Sequence, residues 1–149
     1  MPKPESPSET QNPPWPDLGL LLLRLSLGSL MLTHGLPKLQ RFSELSQTFP
    51  DPIGLGSGFS LLLAVGAEVG CSLLLIFGAF TRLATIPLAV TMLVAALVIH
   101  GSDPFAKKEL ALLYLFPYLT LLLTGPGRFA LDSWLVRFLP TAKATDSNN

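Results

Sequence analysis

The sequence predicts an all-α membrane protein: a four-transmembrane-helix bundle followed by a C-terminal helix at the membrane interface. Three observations predict it. Hydrophobic residues make up 49% of the 149, and the mean hydropathy is +0.50. A soluble domain this small has too much surface for its volume to hide that apolar area. Charged residues make up only 13%, against the roughly 25% usual in soluble domains. The apolar residues are also gathered into four stretches, each about the ~20 residues that cross a bilayer.

Each element can be justified in order. Residues 1–17 are proline-rich and polar and are expected to form a disordered tail. The acidic residues in this tail, and the absence of a small-x-small site after the first apolar run, speak against a cleaved signal peptide. The membrane domain is then residues 18–139. Its first span is 18–36, with Asp17 as N-cap and Pro37 where the helix should stop or kink. The loop over 40–58 holds Pro50, Pro52 and three glycines, and its Arg41, Phe42 and Glu44 suit a short amphipathic piece at the surface. The second span is 59–80. The short turn Thr81-Arg82 makes it an antiparallel neighbour of the third, 83–99. Pro87 falls in the first turns of that third span, where proline is best tolerated.

The segment Gly101-Ser102-Asp103-Pro104 is a turn signal. The fourth span, 105–124, opens on Lys107, Lys108 and Glu109, so only 110–123 is cleanly apolar, and Pro117 is expected to bend it. Gly125-Pro126-Gly127 ends it. Phe129, Leu131, Trp134, Leu135 and Phe138 then recur at the spacing of an interfacial amphipathic helix, with Trp134 at headgroup level. Residues 140–149 are expected to form a second disordered tail.

Charge sets further bounds. Ten basic residues balance ten acidic ones without a basic stripe, which excludes nucleic-acid binding. Four spans put both termini on one side of the bilayer. Lys3, Arg82, Arg128, Arg137 and Lys143 lie on that side, and Lys38, Arg41, Lys107 and Lys108 on the other, a bias that places both termini in the cytoplasm. The single cysteine, Cys71, forms neither an internal disulfide nor a CxxC pair. It therefore excludes the thiol shuttle of four-helix membrane thiol oxidoreductases and reads as an apolar filler.

The informative residues are those a bilayer should reject. An arginine or acid at mid-membrane costs at least roughly 2.5–3.5 kcal/mol and needs a partner or water. Arg24 lies about two turns into the first span and Glu68 near the middle of the antiparallel second. At ~1.5 Å per residue their depths differ by ~8 Å, which an arginine side chain bridges, so they are expected to face each other directly or through water. Such a pair either fixes helix register or forms a polar site inside the bundle.

A second polar cluster gathers at the far end. His34 and Lys38 share a face, His100 ends the third span and Glu109 starts the fourth. Their bland reading is interfacial polarity with Lys38 snorkelling to the headgroups; their sharper one is a pocket for a quinone-like head group. Tyr114 and Tyr118, four apart on the fourth span, would line it. His34 and His100 also raise bis-histidine haem ligation, but both sit at span ends and no second pair supports them. Zinc lacks cysteine or carboxylate ligands at a recognisable spacing, so no metal is assigned. Arg24, Gly28, Met31, Gly35 and Lys38 form one stripe, and Gly66-x-x-x-Gly70 another small-residue pattern; both read as close helix packing.

The pieces RLSLG (24–28), HGLPKL (34–39), Glu68-Val69-Gly70, GAFTR (78–82), His100 and GPGRFALD (125–132), in this order and spacing, resemble the DoxX family of small four-span bacterial membrane proteins. The resemblance covers about residues 18–132. It implies a four-helix bundle in the bacterial inner membrane and a loose association with redox chemistry. Relatives include the small membrane subunit of a thiosulfate:quinone oxidoreductase and members of oxidoreductase complexes in oxidative-stress defence. It supports the fold better than the reaction. Two functions follow as expectations. One is the membrane subunit of a quinone-linked oxidoreductase complex, holding no cofactor itself beyond a bound quinone and served by a soluble or membrane redox partner. The other is a non-enzymatic scaffold or small-solute carrier.

Overall fold

The computed structural model describes residues 13–138. The two predicted tails fall mostly on residues 1–12 and 139–149, outside the described residues. The elements are α1 (Trp15–Gln40), α2 (Phe42–Leu45), α3 (Ser57–Phe77), α4 (Thr81–Ile99), α5 (Phe105–Thr124) and α6 (Leu131–Phe138). There is no strand among the described residues.

Helix α1 is longer at both ends than the sequence predicts. It starts at Trp15 rather than residue 18, with proline in its first turn, where the missing N–H would have no partner anyway. Asp17 is therefore not the N-cap. It lies within the first turn, where a carboxylate meets the positive end of the helix dipole. Nor does Pro37 stop the helix. It removes one N–H in the last turns, and the Arg41 N–H still reaches the Pro37 carbonyl at 3.1 Å. The turn after α3 is Gly78-Ala79-Phe80 rather than Thr81-Arg82, with left-handed φ of +70° at Gly78 and +48° at Phe80. Helix α5 runs through Pro117 to Thr124 without a break.

The long helices pack in a ring: α1 on α3, α3 on α4, α4 on α5, and α5 back on α1. Their polarity is inverted relative to a water-soluble bundle. Large apolar side chains such as Leu22, Leu63, Leu83, Val90, Phe116 and Leu123 point outwards and are exposed, while Arg24, Glu68, Ser72, Thr81 and Thr85 are buried inside. That arrangement is stable where lipid replaces water as the outer solvent. By length and composition α1, α3 and α4 each suffice to cross a membrane. Helix α5 is 20 residues long, but Lys107, Lys108 and Glu109 open it.

Close approach is decided by two glycines of α1. A Cβ at Gly28 would lie 2.9 Å from the Ser72 carbonyl oxygen, and one at Gly35 would lie 2.9 Å from Glu68 Cβ and 2.8 Å from Val69 Cγ2. The predicted Gly66/Gly70 contact is absent: a Cβ at either meets nothing within 4 Å. These two glycines sit on the open side of α3.

One end of the bundle is closed by a clasp, and this is where Arg24 belongs. It does not pair with Glu68. Fully buried, it donates to the Phe129 carbonyl at 2.7 Å and the Leu75 carbonyl at 3.4 Å. Asp132 accepts the Phe80 and Thr81 N–H groups at 2.7 and 2.8 Å and returns its own N–H to Gly78 O at 2.9 Å. One carboxylate thus caps α4 and fixes the left-handed turn before it. Asp17 accepts the Arg128 N–H at 2.8 Å, and Arg82 donates to Leu123 O at 3.3 Å. The segments RLSLG, GAFTR and GPGRFALD therefore meet at one place, where Arg24, Arg82 and Asp132 bond to backbone, while Arg24 Nε and the Thr81 hydroxyl, both buried, find no partner among the described residues. Beyond the clasp, α6 exposes Leu131, Trp134 and Leu135; the Phe138 side chain lies outside the described residues.

Candidate functional site

The opposite end holds the other half of the sequence pattern. Lys38 Nζ donates to both carboxylate oxygens of Glu68, at 2.5 and 2.6 Å. The pair is asymmetric: the Glu68 side chain is 4% exposed and that of Lys38 30%. The geometry explains why Glu68 takes Lys38 and not Arg24. Gly35 packs on Glu68, so Glu68 is level with Gly35, about 16 Å along α1 from Arg24 at 1.5 Å per residue. Helical side chains lean back toward the N-terminus, so Lys38 falls across the Gly35 level and onto the carboxylate.

The pair sits where two helices change their winding. Residues Gly66–Cys71 of α3 and Ala95–Ile99 of α4 are π-helical. The first segment carries Glu68 and the second ends against His100. A π-turn widens the helix by one residue and shifts which side chains face inwards; it is an arrangement often found at functional sites.

Around the pair the structure gathers His34, His100 and Tyr114 of the predicted set. His34 meets Tyr114 edge-on, with ring centroids 5.9 Å apart at 90°, and Tyr114 stacks on Tyr118 at 6.1 Å. Tyr118 lies behind this layer, fully buried, and its hydroxyl finds no partner among the described residues. Glu109 does not join them: it is exposed and faces away, because its place on α5 turns it out of the bundle. Lys107, one turn before Ala111 and two before Tyr114, takes that place instead.

Two cavities meet at the pair. The larger, about 360 Å³, is largely apolar and is walled by Phe49, Pro52, Ile53, Leu63, Val90 and Val94, with Lys38, Ser60, Glu68, Thr91 and His100 as its polar groups. The smaller, about 210 Å³, is lined by His34, Lys38, Glu68, His100, Lys107 and Tyr114 together with Met31, Met92 and Ala111. Lys38, Glu68, Ala95 and His100 are common to both.

The loop over the larger cavity is held by Asp51. Its carboxylate accepts the Leu55 and Gly56 N–H groups at 3.1 and 2.8 Å and the Ser60 hydroxyl at 2.7 Å. The Ser60 hydroxyl, then these amides, hold the Asp51 carboxyl below the usual carboxylate range. At the rim of the smaller cavity His100 Nδ1 donates to Asp103 at 2.9 Å, since an ionised carboxylate only accepts. That bond, with Lys107 3.7 Å away, holds the Asp103 carboxyl low as well. Among the described residues no three His, Cys, Asp or Glu side chains converge as a metal site.

Sequence reasoning missed the Lys38–Glu68 partnership, the π segments and the Asp51 latch. The first had a signal, since Gly35 stands one turn before Lys38 on the same stripe and marks a close approach at that level. The π segments had none, because no side-chain pattern encodes them.

The fold and this site define a helical membrane protein with a buried ion pair between an apolar cavity and a polar one. Residues 19–101 match the DoxX family, and the chain belongs to that family. It is 32% identical to "Putative oxidoreductase CatD" of Bacillus subtilis, over 81% of this chain and 90% of CatD. It is 29% identical to the inner membrane protein YqjF of Escherichia coli, over 80% of this chain and 93% of YqjF. An uncharacterized protein of Haemophilus influenzae is 30% identical over 83% of this chain and 87% of its own length. No solved structure matches the chain.

Proposed function

We propose that this protein is the four-span membrane subunit of a quinone-linked oxidoreductase complex, set in a bacterial inner membrane with both termini in the cytoplasm. Helix α5 is the fourth span. Its 20 residues reach ~30 Å, and its opening lysines lie at headgroup level, where they snorkel. Arg82 and Arg128 then fall at the cytoplasmic clasp, and Lys38, Arg41 and Lys107 at the other face. The description of CatD supports a redox setting, and that of YqjF the inner membrane.

The observation that carries the reading is the larger cavity. A quinone is a flat apolar ring with acceptor oxygens and a lipid-soluble tail. The cavity offers an apolar slot of about 360 Å³, with Lys38 and His100 as polar groups at its inner side and Glu68 balancing the lysine charge. Its volume lies within the range of small-molecule sites. Lys38 and His100 would bind and orient the ring oxygens, and a partner subunit would supply the electrons.

The test is quinone content. Protein purified from native membranes into nanodiscs is solvent-extracted and then titrated with a short-chain quinone. Wild type is expected to carry and bind quinone, and Lys38→Met to lose about tenfold or more in affinity, the cost of about one charged hydrogen bond. A wild type that neither carries nor binds quinone overturns the reading and favours a scaffold or a solute carrier.

A further inference from the structure

We propose that the smaller cavity is a water-filled port through which the Lys38–Glu68 pair exchanges protons with the aqueous phase, while the larger cavity opens to lipid. The port deepens the quinone reading, since reduction of a quinone by a partner's two-electron donor takes up two protons. It is tested separately.

The two cavities differ in what walls them. Two residues of the larger, Leu63 and Val90, are 48% and 53% exposed on the outer surface of α3 and α4. In a bilayer that surface faces acyl chains. The smaller cavity is bounded by α1, α4 and α5, with Glu68 reaching in from α3, and is lined by six polar or charged side chains. Its 210 Å³ has room for several waters at ~30 Å³ each, and those side chains supply the two to four partners that each water needs.

Exposure falls along the lining from outside inwards. The Lys107 side chain is 65% exposed, that of His100 36%, that of Lys38 30% and that of Glu68 4%. The most buried group is an acid, which moves a proton by switching between carboxylate and carboxyl. Among the described residues, the charged or titratable groups that share this cavity with Glu68 are Lys38 and His34 from α1, His100 just after α4, and Lys107 and Tyr114 from α5, with Tyr118 behind. The Asp103 carboxylate, bonded to His100 at 2.9 Å and 3.7 Å from Lys107, stands at the rim next to the aqueous turn. A proton taken up there passes through water to the Glu68 carboxylate, beside the larger cavity. No bond other than O–H and N–H changes on the way.

The experiment uses the full chain in nanodiscs on a Cys71→Ser background, with one cysteine placed in each cavity. Ala111 lines only the smaller cavity and Val90 only the larger. The probes are a permanently charged methanethiosulfonate and a lipid-soluble maleimide. Thiolate is the reacting form, and apolar surroundings suppress it. Ala111→Cys is therefore expected to react with the charged reagent at least about tenfold faster than Val90→Cys, the effect of about one unit in thiol pKa. Val90→Cys should react with the maleimide, and Leu121→Cys, deep in the core, with neither.

The proton arm is infrared. The C=O band of the protonated Glu68 carboxyl, assigned by its loss in Glu68→Gln, should shift as COOH exchanges to COOD in D2O, and Ala111→Leu should slow that exchange by plugging the port. Ala111→Cys as inert as Leu121→Cys overturns the proposal, as does equal reaction of both cavity cysteines with the charged reagent. Unchanged Glu68 exchange in a folded Ala111→Leu protein also overturns it. Quinone content is measured on the same nanodiscs. Labelling at Ala111→Cys without any bound quinone supports the port and removes the quinone reading.

Discussion

Substituting Lys38 by methionine keeps the length of the side chain and takes the cation away from Glu68. The carboxylate, 4% exposed, is then left inside the bundle without its partner. Breaking a buried ion pair from one side costs about 3–5 kcal/mol. The orphaned acid can escape by binding a proton, at about 1.4 kcal/mol for each pH unit between the assay and the ordinary carboxylate range near 4. That route limits the loss to about 4 kcal/mol at pH 7, so Lys38→Met is expected to lose about 3–4 kcal/mol. The reverse change is milder. Lys38 is 30% exposed and near the end of α1, so in Glu68→Gln it can turn its ammonium toward the headgroups, and the loss should be about 1–2 kcal/mol. Replacing both, Lys38→Met with Glu68→Leu, removes the charges together and should lie within about 1 kcal/mol of wild type. The assay is reversible unfolding in mixed micelles at increasing SDS, followed by circular dichroism, with wild type, Lys38→Met, a single Glu68→Leu and the double variant closing a double-mutant cycle. A loss under about 1 kcal/mol for Lys38→Met, or losses that simply add in the double variant, would refute the pairing.

The glycines of α1 and α3 make opposite predictions in the same unfolding assay. Gly35→Ala drives a Cβ to within 2.9 Å of Glu68 Cβ and should cost about 1–3 kcal/mol, whereas Gly70→Ala enters open space and should be neutral or stabilising by up to about 1 kcal/mol; equal effects would contradict the packing described. At the clasp, Arg24→Leu strips the Phe129 and Leu75 carbonyls of a charged donor and should cost about 2–3 kcal/mol. Asp132→Ala uncaps α4 and should cost about 1–2 kcal/mol, while quinone binding at the other end stays within about twofold in both, additivity holding for distant sites. The Asp51 latch is tested by pH. Its carboxyl is held low by the Ser60 hydroxyl and the Gly56 amide, so its stabilisation is complete above the ordinary carboxylate range and is lost as pH falls through the lowered value, below about 4. Hydrogen exchange at the Leu55 and Gly56 amides, read by NMR after incubation between about pH 6 and 3, should show protection vanish there in wild type. In Asp51→Asn it should be weak throughout, and protection that ignores pH in wild type would dismiss the latch.

Much of this protein is legible in the residues. Four apolar stretches and a scarcity of charge are enough to place the chain in lipid, because no soluble core of this size could cover them. The stripe from Arg24 through Gly28, Met31 and Gly35 to Lys38 names the inward face of α1, since helical period alone decides which side chains share a side. The sequence also singles out His34, Lys38, His100 and Glu109 as one cluster, because all four lie near the same ends of their spans, and of these Glu109 alone, exposed on α5, lines neither cavity at the pair.

Partner choice was settled only in three dimensions. Arg24 and Glu68 looked paired when depth was counted from expected span ends, but α1 begins at Trp15, runs past Pro37 and carries Glu68 level with Gly35. A shift of a few residues in helix ends moves a side chain by a full turn, which is enough to exchange one cation for another. The π segments shift the inward face of α3 and α4 again and leave no trace in composition. The clasp behaves in the same way: Arg24 and Asp132 are fixed by backbone carbonyls and amides of distant segments, and every residue carries those groups alike. Local periodicity is written in side-chain identity, so the sequence by itself determined the apolar helices and the inner face of α1. Axial register and bonds to backbone depend on where helices start, bulge and meet, and those the tertiary structure alone decided.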